Sequence, residues 1–126
     1  MEDSVIPNNG DLSHEVIQRI VGRLFAPDEH PMAMRVLDRY GPKPHHVEKV
    51  RVRLCALKLA GSDLRELERQ IDVACVDFRD VIAAAEYPAQ CKLGFIGFGR
   101  LRPSERLQIE EADRLQFQAW VYQGQQ

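Results

Sequence analysis

The sequence is poor in cysteine, and its few cysteines form no recognisable pattern. Cys55, Cys75 and Cys91 are the three present among 126 residues. The number is odd, and no C-x-x-C pair occurs. A disulfide framework or a cysteine zinc site needs paired or closely spaced cysteines, so neither is expected. We therefore expect reduced thiols in a cytoplasmic protein, with Cys55 and Cys75 as small residues of the core.

An excess of positive charge is also missing. Lys and Arg together number 17 against 19 Asp and Glu, which gives a net charge of -2 and a pI of about 6.1. Strongly electrostatic nucleic-acid binders carry a surplus of Lys and Arg, so nucleic acid is disfavoured as a partner. No apolar run approaches the roughly 20 residues that span a bilayer, and the acidic N-terminal stretch lacks the apolar core of a secretory signal. A membrane partner is not expected.

What the sequence does contain is the composition of an ordinary globular protein. It is 44% hydrophobic and 29% charged. The length suits a single helical domain over residues 1–126, large enough to bury about two-thirds of the surface of the unfolded chain. Residues 1–11 and 123–126 have few apolar side chains and are expected to be flexible.

Hydrophobic periodicity predicts an all-α fold, a small helical bundle of about five helices. The first helix begins near Ser13, a good N-cap, and carries apolar residues four apart on one face. The second begins at Pro31, because proline suits a first helical turn, and it stops at Gly41-Pro42.

The centre of the chain predicts two further helices. From Pro44 to Ala60 the apolar spacing favours a helix, although the alternation from Val50 to Leu54 leaves a short strand open. From Leu64 to Ala85 apolar residues recur at intervals of three and four, an a/d pattern over three heptads. Since only Gly61 and Ser62 separate the two segments, we predict an antiparallel αα-hairpin as the basis of the bundle.

Charge predicts the register of this hairpin. Its first helix is rich in Lys and Arg, and its second is rich in Asp and Glu. Folding at Gly61-Ser62 is expected to bring together three pairs, which are Arg51 with Asp72, His46 with Asp77, and Lys43 with Asp80. Asp77 could also act as a fresh N-cap, with a kink near Val76.

The segment after the hairpin holds three glycines and two phenylalanines. Ala89 to Arg102 is therefore predicted to be irregular, a connection whose phenylalanines plug the core. The glycines from Gly94 to Gly99 could instead wrap a phosphate, with basic neighbours, but G-x-x-G-x-G is not a dinucleotide fingerprint. A final helix is predicted from Pro103 to Tyr122, while the alternation from Leu115 to Val121 leaves a strand open.

The most distinctive stretch runs from Asp77 to Pro88, with the sequence D-F-R-D-V-I-A-A-A-E-Y-P. It resembles a segment of small uncharacterised bacterial proteins, D-[FY]-R-D-V-[IL]-A-x-A-E-Y-P. Those proteins also have an upstream helix that is similar to Val52–Leu59, and a downstream helix with residues that match Asp113, Phe117 and Trp120. Phe78 replaces the usual tyrosine, and Ala84 stands where tryptophan is frequent. The resemblance implies a fold and no particular activity.

One end of the hairpin holds the candidate chemical site. Asp77 and Asp80 lie one helical turn apart and are expected near His46, so they could bind a divalent cation or move a proton. The alternative is an ion-pair cluster with Arg79 that sets the hairpin register, and this interpretation is favoured. No metal-binding motif is present, so neither a metal nor a cofactor is predicted.

A partner surface is the other candidate. Tyr87 and Trp120 belong to residue types enriched at interaction hot spots, although both could simply pack the last helix over the hairpin. The leading hypothesis is a non-enzymatic domain that binds a protein, itself or another. The alternative is a small enzyme or ligand-binding domain. The candidate binding residues are Asp77, Arg79, Asp80, His46, Tyr87 and Trp120.

Overall fold

A computed structural model describes residues 13–123, and every regular element within that range is helical. The α-helices are α1 His14–Leu24, α2 His30–Asp38, α3 Lys49–Ala60, α4 Leu64–Val76, α5 Phe78–Glu86, α6 Pro88–Gly99 and α7 Pro103–Val121, with a 3-10 turn at Pro27–Glu29. The all-α prediction is confirmed. The expectation of about five helices is not, because these residues form seven. The ends predicted to be flexible lie outside the described range, apart from Gln123.

The first two helices begin close to where the sequence places them. The hydroxyl of Ser13 accepts a hydrogen bond from the Val16 amide at 3.4 Å, which confirms Ser13 as the N-cap of α1. Its apolar stripe is buried at Ile17, Ile20 and Val21. Proline occupies the second position of α2 rather than the first, a difference of one residue.

The third helix is real, but its predicted start is wrong. It begins at Lys49 instead of Pro44, and the residues before it form a turn. Glu48 there adopts a left-handed conformation with φ of 50°. Two side chains hold this turn: the Tyr40 hydroxyl donates to the Val47 carbonyl at 2.7 Å, and the His46 ring accepts from the Gly41 amide at 2.8 Å. The first bond satisfies the Val47 carbonyl, which a helix that began at Pro44 would have used, and the second satisfies the amide of Gly41.

The third helix lies at the centre of the core and packs against α1, α4 and α5. Its buried side chains lie on more than one face of the helix: Val52, Leu54, Cys55, Ala56, Leu57 and Ala60. Phe117 and Val121, near the end of α7, complete the core from the other side.

The long a/d pattern from Leu64 to Ala85 is divided between two helices. Its positions at Leu67, Ile71 and Val81 are buried as expected, but the helix breaks at Asp77, whose φ of -152° and ψ of 100° are extended. The Asp77 carboxylate accepts a hydrogen bond from the Arg79 amide at 3.0 Å. The alternative of a fresh N-cap at Asp77 is therefore confirmed.

The segment predicted to be irregular is mostly helical. Residues 88–99 form α6, with one interruption at Gly94, where φ is 76° and ψ is 169°. The three glycines suggested a loop, yet Gly97 and Gly99 lie outside the set with positive φ. Contrary to expectation, no residue of α6 is buried. The final helix is confirmed over the strand alternative. None of the helices in residues 13–123 has the length and apolar character needed to cross a bilayer.

Candidate functional site

Asp77 and Arg79 form an ion pair on the surface. The guanidinium donates to the Asp77 carboxylate at 3.0 Å from Nε and 3.1 Å from Nη2. The Arg79 side chain is 78% exposed, and its hydrogen bonds hold the pKa of Asp77 below the ordinary value. Asp80, the residue after Arg79 in α5, is also exposed. A carboxylate that is kept ionised by an exposed arginine is suited to capping a helix and poorly suited to accepting a proton.

His46 is buried and lies in a different environment. Its ring stacks on Tyr40 with the centroids 4.5 Å apart, and Nδ1 accepts the Gly41 amide. Burial is the main cause of its lowered pKa, with His45 and nearby lysines adding to it. No hydrogen bond or ion pair within residues 13–123 joins His46 to Asp77 or Asp80. Among the described residues these three side chains therefore do not form the hydrogen-bonded cluster that was predicted.

A shallow cavity of about 480 Å³ opens beside this turn. It is lined by His46, Val47, Glu48, Lys49 and Val50. Nδ1 of His46 already accepts hydrogen bonds from the backbone amides of Gly41 and Lys43. Neither carboxylate of the predicted site lines this cavity.

The predicted charge register is also wrong at Arg51. Its guanidinium forms a two-pronged hydrogen bond with the buried carboxylate of Glu86, while Asp72 lies 3.7 Å from Arg39 of α2. The Tyr87 hydroxyl is 3.4 Å from the same guanidinium. Burial and the Glu86 carboxylate raise the pKa of the neighbouring Cys55 thiol, which disfavours the reactive thiolate.

Asp113 performs a structural task that the sequence did not assign. Its two carboxylate oxygens accept the amides of Ala89 at 2.9 Å and Gln90 at 3.1 Å, so a residue of α7 caps the N-terminus of α6. The side chain is 1% exposed. Together with the Glu86 ion pair, this cap gives the E-Y-P end of the motif a structural explanation.

Trp120 is half-buried at the end of α7. Its ring packs near Phe117, with the centroids 6.0 Å apart, and the Arg23 guanidinium lies 5.3 Å from its ring centre. Arg23 also donates to the Trp120 carbonyl at 2.9 Å. These contacts attach the end of α7 to α1, so the tryptophan has a packing role, although its contacts with Arg23 are to α1 and not to the predicted hairpin.

The most unusual surface lies on α6, where sequence reasoning expected core residues. Phe95 is 95% exposed and Ile96 is 68% exposed, while Leu93 is also exposed. We call these three residues the α6 crest. Its only sequence signal is the apolar run of residues 93–98, which by itself cannot distinguish a buried segment from an exposed one.

A groove of about 290 Å³ lies between α5 and the crest. It is lined by Ala83, Tyr87, Gln90, Cys91, Gly94, Phe95 and Phe98. Tyr87 is the one candidate residue from the sequence that borders it. Among residues 13–123 the lining contains no carboxylate or basic side chain, so the groove suits an apolar side chain rather than a charged ligand.

No group of three or more His, Cys, Asp or Glu among residues 13–123 is placed to hold a metal ion. Comparison of the chain with family models, with curated proteins and with solved structures finds no match.

Proposed function

We propose that this chain is a non-enzymatic interaction domain that binds a partner protein through the α6 crest. The helical bundle, built on an α3–α4 hairpin, serves as the scaffold. The observation that carries this proposal is the exposure of α6, an apolar helix with no buried residue. Nothing in α6 belongs to the core cluster or to the partly buried residues packed against it.

Exposed apolar surface of this kind has a physical cost. Each apolar Å² left in water forgoes roughly 25 cal/mol of burial free energy, and monomeric proteins keep contiguous apolar patches small. Two adjacent large side chains, Phe95 and Ile96, project from the same helix. Aromatic anchors beside a pocket are typical of the centre of a binding surface.

The environment of the ionisable side chains supports the non-enzymatic interpretation. Glu86 is paired with Arg51, Asp113 caps α6, and Asp77 caps α5. Each of these carboxylates is engaged in holding helices in place. The enzyme alternative would need one of them to be available for proton transfer or ligand binding.

The proposal is tested by comparing two variants of the whole chain in affinity capture. Phe95→Ser/Ile96→Ser removes the two most exposed apolar side chains of the crest, and Val76→Ser removes an 88% exposed valine elsewhere. We expect partner proteins to be recovered with the unaltered chain and with Val76→Ser, and lost with the crest variant. Circular dichroism and the thermal midpoint verify that both variants are folded.

Equal recovery by the two variants would overturn the proposal, and so would recovery of the chain alone. Sedimentation at several concentrations identifies the case in which the partner is a second copy. The cytoplasmic location and the single domain stay predictions of the sequence.

A further inference from the structure

The α6 crest lies within a basic region of an otherwise acidic chain. Residues 88–107 contain four basic side chains and one acidic side chain, a net charge of +3. The whole chain has a net charge of -2, so the remaining residues carry -5. The positive charge therefore coincides in sequence with the exposed apolar surface.

Three of these basic side chains are available to a partner. Lys92, Arg100 and Arg102 are exposed, and within residues 13–123 no carboxylate lies within ion-pair distance of them. The remaining two charges of the region are used internally. Arg106 donates to the Leu101 carbonyl at 2.5 Å, and Glu105 accepts the Arg102 amide at 2.9 Å.

The shape of the surface also favours the binding of a partner. Phe95 lines the groove and is 95% exposed, while Gly94 has no side chain, and no atom of the described part of the chain lies within 4 Å of where a Cβ would be. A partner backbone can therefore approach the crest closely at this point. A shallow apolar groove next to an exposed ring offers an apolar side chain of the partner a surface to pack on, and such contacts are typical of interface hot spots.

We propose that the crest binds an acidic segment of the partner protein, which inserts an apolar side chain into the groove and pairs its carboxylates with Lys92, Arg100 and Arg102. This inference rests on the proposed function and specifies its partner. Charge complementarity favours an acidic partner over a second copy, since two copies would bring two regions of net +3 together. A protein segment is favoured over a lipid surface, because interfacial binding is typical of a continuous amphipathic helix and α6 is interrupted at Gly94.

The test is selection from a displayed library of random peptides on the full-length chain, with Phe95→Ser/Ile96→Ser as the counter-selection. We expect the enriched peptides to carry a net negative charge and at least one large apolar residue. Enrichment of neutral or basic peptides would overturn the inference while leaving the proposed function intact. Failure to enrich any peptide above the crest variant would also overturn it.

Charge reversal then tests the assigned cations with a synthetic copy of an enriched peptide. Reversing all three charges should weaken binding by about tenfold or more, since several exposed pairs of up to about 1 kcal/mol each are lost. A matched triple reversal at exposed residues elsewhere should leave binding unchanged: Arg35→Glu, Lys43→Glu and Arg65→Glu. Equal loss in both variants would show a non-local charge effect and contradict the assignment.

Two further measurements distinguish the other occupants. Vesicles with anionic lipid should bind the chain no more than neutral vesicles do, and sedimentation should show a monomer at micromolar concentration. Crest-dependent binding to anionic vesicles, or a crest-dependent dimer, would overturn the proposed acidic segment.

Discussion

The guanidinium of Arg51 on α3 donates two hydrogen bonds to the carboxylate of Glu86 at the end of α5, at 2.7 Å from Nε and 2.6 Å from Nη2. Glu86 is 6% exposed, whereas the Arg51 side chain is 26% exposed. Arg51→Met would leave a buried carboxylate without its cation. Breaking a fully buried pair costs about 3–5 kcal/mol, so we expect this partly exposed one to cost about 2–4 kcal/mol of unfolding free energy. Urea denaturation followed by Trp120 fluorescence measures it.

A second variant separates the lost charge from the lost packing. Arg51→Met/Glu86→Leu should recover much of the stability, because a well-packed apolar pair can replace a buried ion pair. Arg69→Met, which removes an exposed partner of Glu66, should change stability little. A double variant that is as unstable as Arg51→Met alone would contradict this account.

Asp113→Ala is expected to loosen α6. The substitution removes the two acceptors for the Ala89 and Gln90 amides, and loss of an N-terminal cap costs about 1–2 kcal/mol. Hydrogen exchange should accelerate at these two amides and through α6. Glu111→Ala, which removes the ion pair with Arg114 on α7, the helix that carries Asp113, should leave these amides unchanged. Protection that persists in Asp113→Ala would show that the cap does not hold α6.

The local features of this fold could be predicted from the sequence. Ser13 and Asp77 are short polar residues before apolar runs, and both are N-caps. The a/d residues from Leu64 to Ala85 are mostly buried. Such features depend on neighbours a few residues away, which a sequence reports directly.

The long-range contacts could not be predicted in the same way. Arg51 and Glu86 are 35 residues apart, and Asp113 caps amides 23 and 24 residues away. The predicted register paired α3 with α4 and took no account of the packing of α5 on α3, which brings Glu86 to Arg51. The exposure of Phe95 escaped prediction for another reason. The sequence of an apolar run does not show whether the run packs in a core or lies on an exposed surface.

The lowered pKa of His46 predicts that the stability of the fold depends on pH. Burial lowers its pKa in the folded state below the ordinary value of 6.5, so the unfolded state binds the proton more tightly. The contribution of His46 to the free energy of unfolding is therefore fully present above about pH 6.5 and is lost as the pH falls below that value. The loss from this group is at most about 1.4 kcal/mol per pH unit. Urea denaturation between pH 7.5 and the folded pKa measures the slope.

Two variants assign the slope to this ring. His46→Gln should flatten the dependence below pH 6.5, because glutamine does not titrate. His45→Gln, at the exposed neighbour, should retain most of it. An unchanged slope in His46→Gln would place the titrating group elsewhere.

Two glycines of α6 are expected to respond to alanine with opposite signs. At Gly94 the added Cβ would meet no atom of residues 13–123 within 4 Å, but the backbone has φ of 76° and ψ of 169°. This region is nearly exclusive to glycine, so Gly94→Ala should destabilise α6 by about 1–3 kcal/mol. At Gly97 the new Cβ would lie 3.6 Å from the Leu93 Cβ, an ordinary contact. Gly97→Ala should stabilise α6 by up to about 1 kcal/mol.

Hydrogen exchange of the α6 amides measures both changes in stability. A local measurement is used because α6 contributes no residue to the core cluster. The groove provides an independent readout. Straightening the helix at Gly94 would move Phe95 and Phe98 relative to Tyr87, so Gly94→Ala should weaken a crest-dependent peptide, while Gly97→Ala should keep it. If both substitutions slow exchange equally, the interruption at Gly94 is not a strained, glycine-dependent feature, and the groove does not depend on it.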